Sequence, residues 1–232
     1  MMSHLVIGMG EVGRAIRNIL KDSGDVVRCY DTRESDDLDV WHFTDNLHIC
    51  FPYSEDFIAH VKKYAETSSA GLVIIHSTVP VGTTDGLNDE LDNRVVHSPI
   101  RGVHPNLEEG IRTFMKFFGG PQARKAADIF LKHDIRVSIT SNACNTEAMK
   151  LWDTEQYRRF ILLNKEIKDY CEKNGLDFDI VYTKANESYN QGYKKLGMEH
   201  VIRPNLYWMP GPIGGHCVEP NHKLLYEDPD TQ

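Results

Sequence analysis

No stretch of this chain approaches the roughly 18 consecutive apolar residues that a membrane-spanning helix requires. The early run Leu5–Ile7 is short and is followed at once by Glu11 and Arg14, so a secretory leader is not expected either. Positive charge is also scarce: 26 Lys and Arg stand against 34 Asp and Glu, a formal net charge of −8. Nucleic acid and anionic membrane surfaces both call for clustered cations, and that balance argues against them as partners. Cysteine is present but not as a framework. Five residues, an odd number without regular spacing, suggest reduced thiols in a cytoplasmic protein. Internal repeats, low-complexity tracts and a metal-ligand spacing are all lacking. What remains is a chain of 232 residues, 41% hydrophobic, with enough apolar material for one large domain or a domain and a smaller partner.

The first 140 residues alternate short β-rich runs with helical patterns. "HLVIGMG" reads as a strand entering a glycine turn, "GRAIRNILKDSG" as a helix closed by Gly24, and "VVRCYD" as a second strand ending in Asp31. "LHICFP", "GLVIIHST", "RVVHSP", "MKFFGG" and "RVSITS" are further strands, with helices at "SEDFIAHVKKYAETS" and "PQARKAADIFLKHDI". This alternation predicts an α/β fold: a Rossmann-like, doubly wound, mostly parallel sheet with helices on both faces. The pattern then changes. From Thr146 to Asn174 there is neither Gly nor Pro, and Met149, Trp152, Gln156, Phe160, Leu163, Ile167 and Tyr170 recur every three or four positions. The spacing predicts one helix about 43 Å long, followed by a second helical stretch over 179–196 and a loop-rich end. Residues 1–140 are therefore expected to form a dinucleotide-binding domain, and 141–232 a helical domain with a cysteine-bearing loop. A helix this long with an apolar stripe is seldom stable unpaired, which predicts a homodimer.

"GMGEVG", residues Gly8, Met9, Gly10, Glu11, Val12 and Gly13, lies between the first strand and the first helix, and Asp31 ends the next strand 18 residues after Gly13. In that context the three glycines suit a tight turn, close approach of backbone to a pyrophosphate, and close helix–strand packing; the helix N-terminus offers N–H groups to the anion. Asp31 would accept hydrogen bonds from an unphosphorylated ribose and repel a 2′-phosphate, which favours NAD over NADP, while Arg33 could reach such a phosphate. Pro52, at the end of "LHICFP", is a further expected cofactor contact. Near the end of the chain, Cys217 follows Gly214, Gly215 and His216, with Pro210 and Pro212 stiffening the approach. A thiol in so shaped a turn is a candidate nucleophile, with His216 as a group that could help ionise it. His104–Pro105 reads as a loop turn.

Several segments together resemble the UDP-glucose/GDP-mannose dehydrogenase family of nucleotide-sugar oxidoreductases. "HSTVPVGTT" (His76–Thr84) resembles its S-T-V-P-x-G-T-T segment, "SPIRGVHPNLEEGIRTFMKFFGG" (Ser98–Gly120) its S-P-E-R…G-G segment, and "EAMKL" (Glu147–Leu151) its E-x-x-K-L. "PGPIGGHCVEPN" (Pro210–Asn221) resembles P-G-P-G-x-G-G-H-C-I-P-x-D of the UDP-N-acetylmannosamine dehydrogenase branch. The resemblance implies an NAD-dependent oxidation of an alcohol or aldehyde, with a sugar nucleotide as the small-molecule substrate. It also implies a second nucleotide-binding domain that would begin beyond Gln232. By resemblance, Cys217 attacks an aldehyde and Lys150 steadies a developing oxyanion. Thr78 helps hold cofactor and a catalytic water, and Pro80–Thr83 lines the nicotinamide side. Three polar family positions differ: the Glu of S-P-E is Ile100, the Asn one turn after the lysine is Thr154, and the Asp four residues after the cysteine is Asn221. Nucleophile and cation are retained while the acid–base groups are depleted. Two other readings are open, a non-oxidising NAD-binding module and a 6-phosphogluconate-dehydrogenase-like oxidoreductase with another substrate.

Overall fold

The computed structural model describes residues 1–32, 43–102, 104–213 and 217–226. Arg33, Gly214, Gly215 and His216 therefore lie outside the described residues. The chain divides into two compact units, 1–150 and 151–232.

The first unit carries a sheet of seven strands, in the order β2-β1-β3-β4-β5-β6-β7. They are β1 (Ser3–Ile7), β2 (Val26–Tyr30), β3 (Asn46–Ile49), β4 (Leu72–Ile75), β5 (Val95–His97), β6 (Lys116–Gly119) and β7 (Val137–Thr140). Every pairing is parallel except β5 with β6, so the expected doubly wound, mostly parallel α/β sheet is what the chain forms. Interleaved with the strands are α1 (Glu11–Lys21), α2 (Phe57–Thr67), α3 (Thr83–Glu90), α4 (Leu107–Thr113) and α5 (Ala123–Leu131).

The strands are short runs of aliphatic residues because both faces are covered. Alternate positions feed two separate cores. Val6, Ile74, Val96 and Phe118 pack with Ile16, Ile19 and Leu20 of α1 and with Ala126, Ala127 and Phe130 of α5. Leu5, Ile7, Leu47, Ile49, Val73 and Ile75 pack with Phe57, Val61 and Ala65 of α2 and Leu87 of α3. Each such side chain, taken fully out of water, contributes about 1.5–3 kcal/mol before entropy is counted.

Two helices of this unit have no clear sequence signal. α3 is built from "TTDGLNDE", with glycine inside it and poor helix formers around it. Its missing local cap is supplied from far away: the Glu147 carboxylate accepts from Gly82 N at 2.7 Å, Thr84 N at 2.8 Å and Thr84 Oγ1 at 2.6 Å. A carboxylate at a helix N-terminus satisfies the orphan donors and the helix dipole together. α4 lies within the expected loop and buries Leu107 and Ile111 against the first core.

The long helix, α6, runs Ala143–Lys173, 31 residues, and the division between the two units falls inside it. Beyond it come a π-helical turn (Asp179–Lys184) that runs into α7 (Ala185–Lys195), a short 3₁₀ turn (Glu199–Val201) and α8 (Val218–Tyr226). α8 occupies part of the segment expected to be loop. Among the described residues no helix is long and apolar enough to cross a membrane.

Candidate functional site

The glycine turn joins β1 to α1 at the carboxyl edge of the sheet, where β2 and β3 flank β1. This is the position at which the strand order reverses, and open α/β sheets bind ligands there. Gly8 has φ +90°, and a Cβ on it would meet Phe51 N at 2.9 Å. A Cβ on Gly13 would lie 1.9 Å from Gly8 O, so any side chain there would push the helix off the turn. Gly10 differs: nothing lies within 4 Å of where its Cβ would be, leaving the backbone open to a group from outside. Gly10 also serves as N-cap of α1 without a side-chain cap bond, so the first N–H groups of the helix face outward unoccupied by any side chain of their own cap.

Asp31 is buried, 8% exposed, and its Oδ2 accepts the Met9 N–H at 2.7 Å. The carboxylate thus braces the glycine turn, a role not read from the sequence. Arg14 adds a second brace, its Nη1 donating to Met9 O at 2.8 Å. Beside them opens a cavity of about 350 Å³ lined by Gly8, Tyr30, Asp31, Thr32, Phe51, Pro52, His60 and Tyr64. That volume falls within the size range of ordinary small-molecule sites. Gly8, Asp31 and Pro52 line this one cavity together. Val12 lies on the inner side of α1 and packs against the first core, while Glu11 is exposed and pairs with His104. His104 is therefore more than a turn residue. The aromatic wall of the cavity was not anticipated. Its signal was available in "CFPY" after β3 and in His60 and Tyr64, which share one face of α2 by i, i+4 spacing.

Thr78 is half-buried in the segment after β4. That segment is held from several sides: Ser77 Oγ donates to Phe51 O at 2.5 Å, and Thr83 Oγ1 donates to Pro80 O at 2.8 Å. Through Glu147, which bonds Gly82 and Thr84, it is tied to the start of α6, where Lys150 stands one turn further on. Burial pushes the Glu147 carboxyl up, against the donors of Thr84 and Gly82 that hold it down. His97 Nε2 lies 3.1 Å from Ser77 O, and burial drives this imidazole down to about 3, with the Lys116 and Lys150 charges adding to the shift. Ile100 is 6% exposed and belongs to the first core. Where the resemblance would place a carboxylate, this chain places an apolar contact.

In the second unit, Thr154 and Asn221 do meet. Asn221 Nδ2 donates to Thr154 Oγ1 at 3.2 Å, and Thr154 Oγ1 donates to Leu151 O at 3.0 Å. Neither side chain carries a charge. Cys217, half-buried, stands immediately before α8, and its carbonyl accepts the Asn221 N–H at 3.1 Å. The neighbouring residues fasten α8 to α6. Glu155, 3% exposed, accepts from Arg159 Nε at 2.8 Å and pairs with His222 Nδ1 at 2.9 Å. Arg158 Nε reaches Glu219 at 3.3 Å, and Arg159 Nη2 donates to Tyr226 at 2.7 Å. Burial alone would raise the Glu155 carboxyl, but the Arg159 and His222 bonds outweigh it and hold it below the usual range. Trp152, Leu163 and Tyr170 of the α6 stripe are 48%, 49% and 59% exposed in the single chain.

No family model matches the chain, and no curated protein sequence matches it. Solved structures do. A UDP-D-ManNAc dehydrogenase from Pyrococcus horikoshii superposes with a TM-score of 0.78 at 20% identity, over 99% of this chain and 65% of that one. A 3-hydroxyisobutyrate dehydrogenase from Mycobacterium tuberculosis, solved with L-serine, gives a TM-score of 0.65 at 16% identity, over 92% of this chain and 77% of that one. A UDP-glucose dehydrogenase from the hyperthermophilic archaeon Pyrobaculum islandicum gives 0.64 at 17% identity, over 87% and 66%. The chain thus spans just under two thirds of the length of the UDP-D-ManNAc dehydrogenase. At these identities the similarity establishes the fold: a Rossmann-like α/β sheet followed by long helices, as in sugar-nucleotide and 3-hydroxyacid dehydrogenases.

Proposed function

We propose that the chain binds NAD and works as an NAD-dependent oxidoreductase on an alcohol or aldehyde. The observation that carries the cofactor reading is the turn itself: Gly13 has no room for a Cβ, Gly10 has nothing but open space, and Asp31 stands at the cavity beside them. These residues fit a dinucleotide. The N–H groups at the start of α1 would hold its diphosphate, and the Asp31 carboxylate would accept from ribose hydroxyls. Met9, Glu11, Val12 and Pro52 would frame the same ligand through the turn and the end of β3. When bound, the nicotinamide accepts a hydride from the substrate carbon. Thr78 is proposed to position cofactor and water, and Lys150 to offset negative charge on the substrate oxygen. Cys217 is the proposed nucleophile toward an aldehyde, forming a thiohemiacetal whose oxidation leaves a thioester for water to cleave.

The similarity to UDP-D-ManNAc and UDP-glucose dehydrogenases supports a sugar nucleotide as the substrate class. The exposed stripe of Trp152, Leu163 and Tyr170 supports pairing of two copies through α6. A second reading, an NAD-binding module that does not oxidise, is favoured by one observation. Asn221 donates to Thr154 and Ile100 is core, so no carboxylate stands at the three positions that differ from the resemblance.

Calorimetry with NAD and NADP tests the shared cofactor reading: NAD is expected to bind at least about tenfold more tightly, a difference of about 1.4 kcal/mol. Equal or tighter NADP binding would refute it. NADH formation with aldehydes then separates the two functions. Removing a positioned base costs on the order of 10²–10⁴ in rate, so the oxidoreductase should release about one NADH per chain in a burst and retain an acyl adduct on Cys217. No burst and no adduct leaves the binding module.

A further inference from the structure

A row of titratable side chains crosses the first core, and nothing in the proposed reaction uses it. His4, His48, His76 and Lys116 are 1%, 0%, 2% and 4% exposed. The strand register explains how they meet. His4 pairs with Asn46, and His48 lies two residues further on; His48 pairs with Ile74, and His76 lies two residues beyond that. Each step therefore moves one strand across and two residues toward the carboxyl edge, always on the same face of the sheet. His4 Nδ1 is 3.0 Å from His48 Nε2, and His48 Nδ1 is 3.0 Å from His76 Nε2. His76 Nδ1 is 3.0 Å from Ser98 O and 3.4 Å from Lys116 Nζ, which itself donates to Ser98 O at 3.0 Å. Phe130 of α5 covers the row, edge-on to His48 and His76 and beneath the Lys116 ammonium.

The two ends differ. At one end, His4 Nε2 is buried without a hydrogen bond, and Asp25 Oδ2 stands 3.5 Å from it, on a carboxylate that keeps 11% of its side-chain surface in solvent. At the other end, Lys116 lines a recess of about 10 Å³ with Pro99, Ile100 and Arg101, close to the space one water needs. The proton count is what makes the row distinctive. A neutral imidazole donates from one nitrogen and accepts at the other. If His76 donates from Nδ1 to Ser98 O, its Nε2 must accept from His48, and His48 Nε2 must accept from His4. His4 Nε2 is then left bare, which is the atom that has no bond. If instead Lys116 donates to His76 Nδ1, all three imidazoles reverse and His4 Nε2–H points at Asp25.

We propose that Asp25, His4, His48, His76 and Lys116 form a one-proton relay through the sheet, shuttling a proton between a solvent-touching carboxylate and a buried lysine. The transfer balances. The Lys116 ammonium gives a proton to His76 Nδ1, His76 gives its Nε2 proton to His48 Nδ1, His48 gives its Nε2 proton to His4 Nδ1, and His4 gives its Nε2 proton to Asp25 and thence to water. Lys116 ends neutral and every imidazole ends neutral with its tautomer reversed; no electron moves. Burial brings Lys116 down to about 7, opposed by the influence of Cys50, so the lysine can release its proton near neutrality. Burial holds His48 and His76 well below their ordinary value, with the charges of His4 and Lys116 respectively adding to the effect. The imidazoles thus pass a proton without storing one. The other titratable groups facing the row are Asp45 and Lys132 at His4, and His97 at His76.

The test reads imidazole ¹⁵N shifts of the ligand-free chain across about pH 5 to 9, which report the tautomer of each histidine directly. His4, His48 and His76 are expected to hold protons on Nε2 at low pH, to move them to Nδ1 at high pH, and to do so at one shared midpoint near that of Lys116. Lys116→Met should abolish the inversion and leave all three on Nδ1. Should that variant fail to fold, Asp25→Asn, at the solvent end, should move the shared midpoint by about one pH unit or more. Histidines that keep one tautomer throughout, that invert at separate midpoints, or that ignore Asp25→Asn would overturn the relay. Because the readout needs no nucleotide, its failure would leave the NAD reading untouched, and the reverse also holds.

Discussion

Each of the two units of this chain is held together internally in its own way. In the first, the candidate cofactor turn depends on backbone meeting backbone: Gly13 fits only because it has no Cβ, and the turn is braced by a buried carboxylate. In the second, α6 and α8 are joined by polar side chains reaching across at hydrogen-bonding distance, with Glu155 at the centre. Backbone packing is itself intolerant of added atoms. Ion-pair packing tolerates changes of shape but depends on protonation. The contrast teaches that the glycine turn and the segment that carries Cys217, both singled out by short motifs, are maintained by separate physics and should fail separately.

The largest expected effect is at the turn. Gly13→Ala puts a Cβ where only 1.9 Å is available, so we expect a loss of about 3 kcal/mol in urea unfolding and no measurable heat with NAD. Gly10→Ala, where the space is open, should leave stability within about 0.5 kcal/mol. If both variants behave alike, steric exclusion is not what distinguishes the glycines.

Next comes the bolt between α6 and α8. Glu155→Gln removes the charge facing Arg159 and His222 while keeping the shape, and should cost about 2 kcal/mol by denaturant titration, discounted because Arg159 is largely exposed. The pH sign follows from the direction of the shift. The folded Glu155 carboxyl lies below its unfolded value, so its contribution is complete above the unfolded value of about 4.3 and is lost as pH falls through the folded one. Wild-type protein should therefore lose helical signal more steeply in acid than Glu155→Gln, while Gly13→Ala should keep the wild-type acid profile. Parallel acid profiles for wild type and Glu155→Gln would remove Glu155 from this role.

The smallest effect on stability concerns the exposed stripe. Leu163→Lys is expected to change unfolding by less than about 0.5 kcal/mol in the single chain, since Leu163 is 49% exposed, yet to convert a dimer into a monomer in light scattering. A wild-type mass that is monomeric at every concentration would withdraw the proposed pairing through α6.

Much of the sheet was legible because a doubly covered parallel strand has to be an aliphatic run, and "GLVIIHST" or "HLVIGMG" has few other uses. α3 and α4 were not legible. Their helical state rests on Glu147, 63 residues from Thr84, and on apolar contacts with the first core. Nor could the sequence show that Asn221 donates to Thr154, because their side chains meet only once α8 lies against α6.

Local chemistry, then, settled the α/β class, the glycine turn with its acidic strand end, and the long helix, since each depends on residues close together in the chain. Only the tertiary structure decided that Asp31 braces the Met9 amide, that Ile100 is core, and that three histidines from successive strands line up toward Lys116. The histidine row depends on strand register and on which face each side chain takes, and a one-residue slip in one strand would move its histidine to the opposite face.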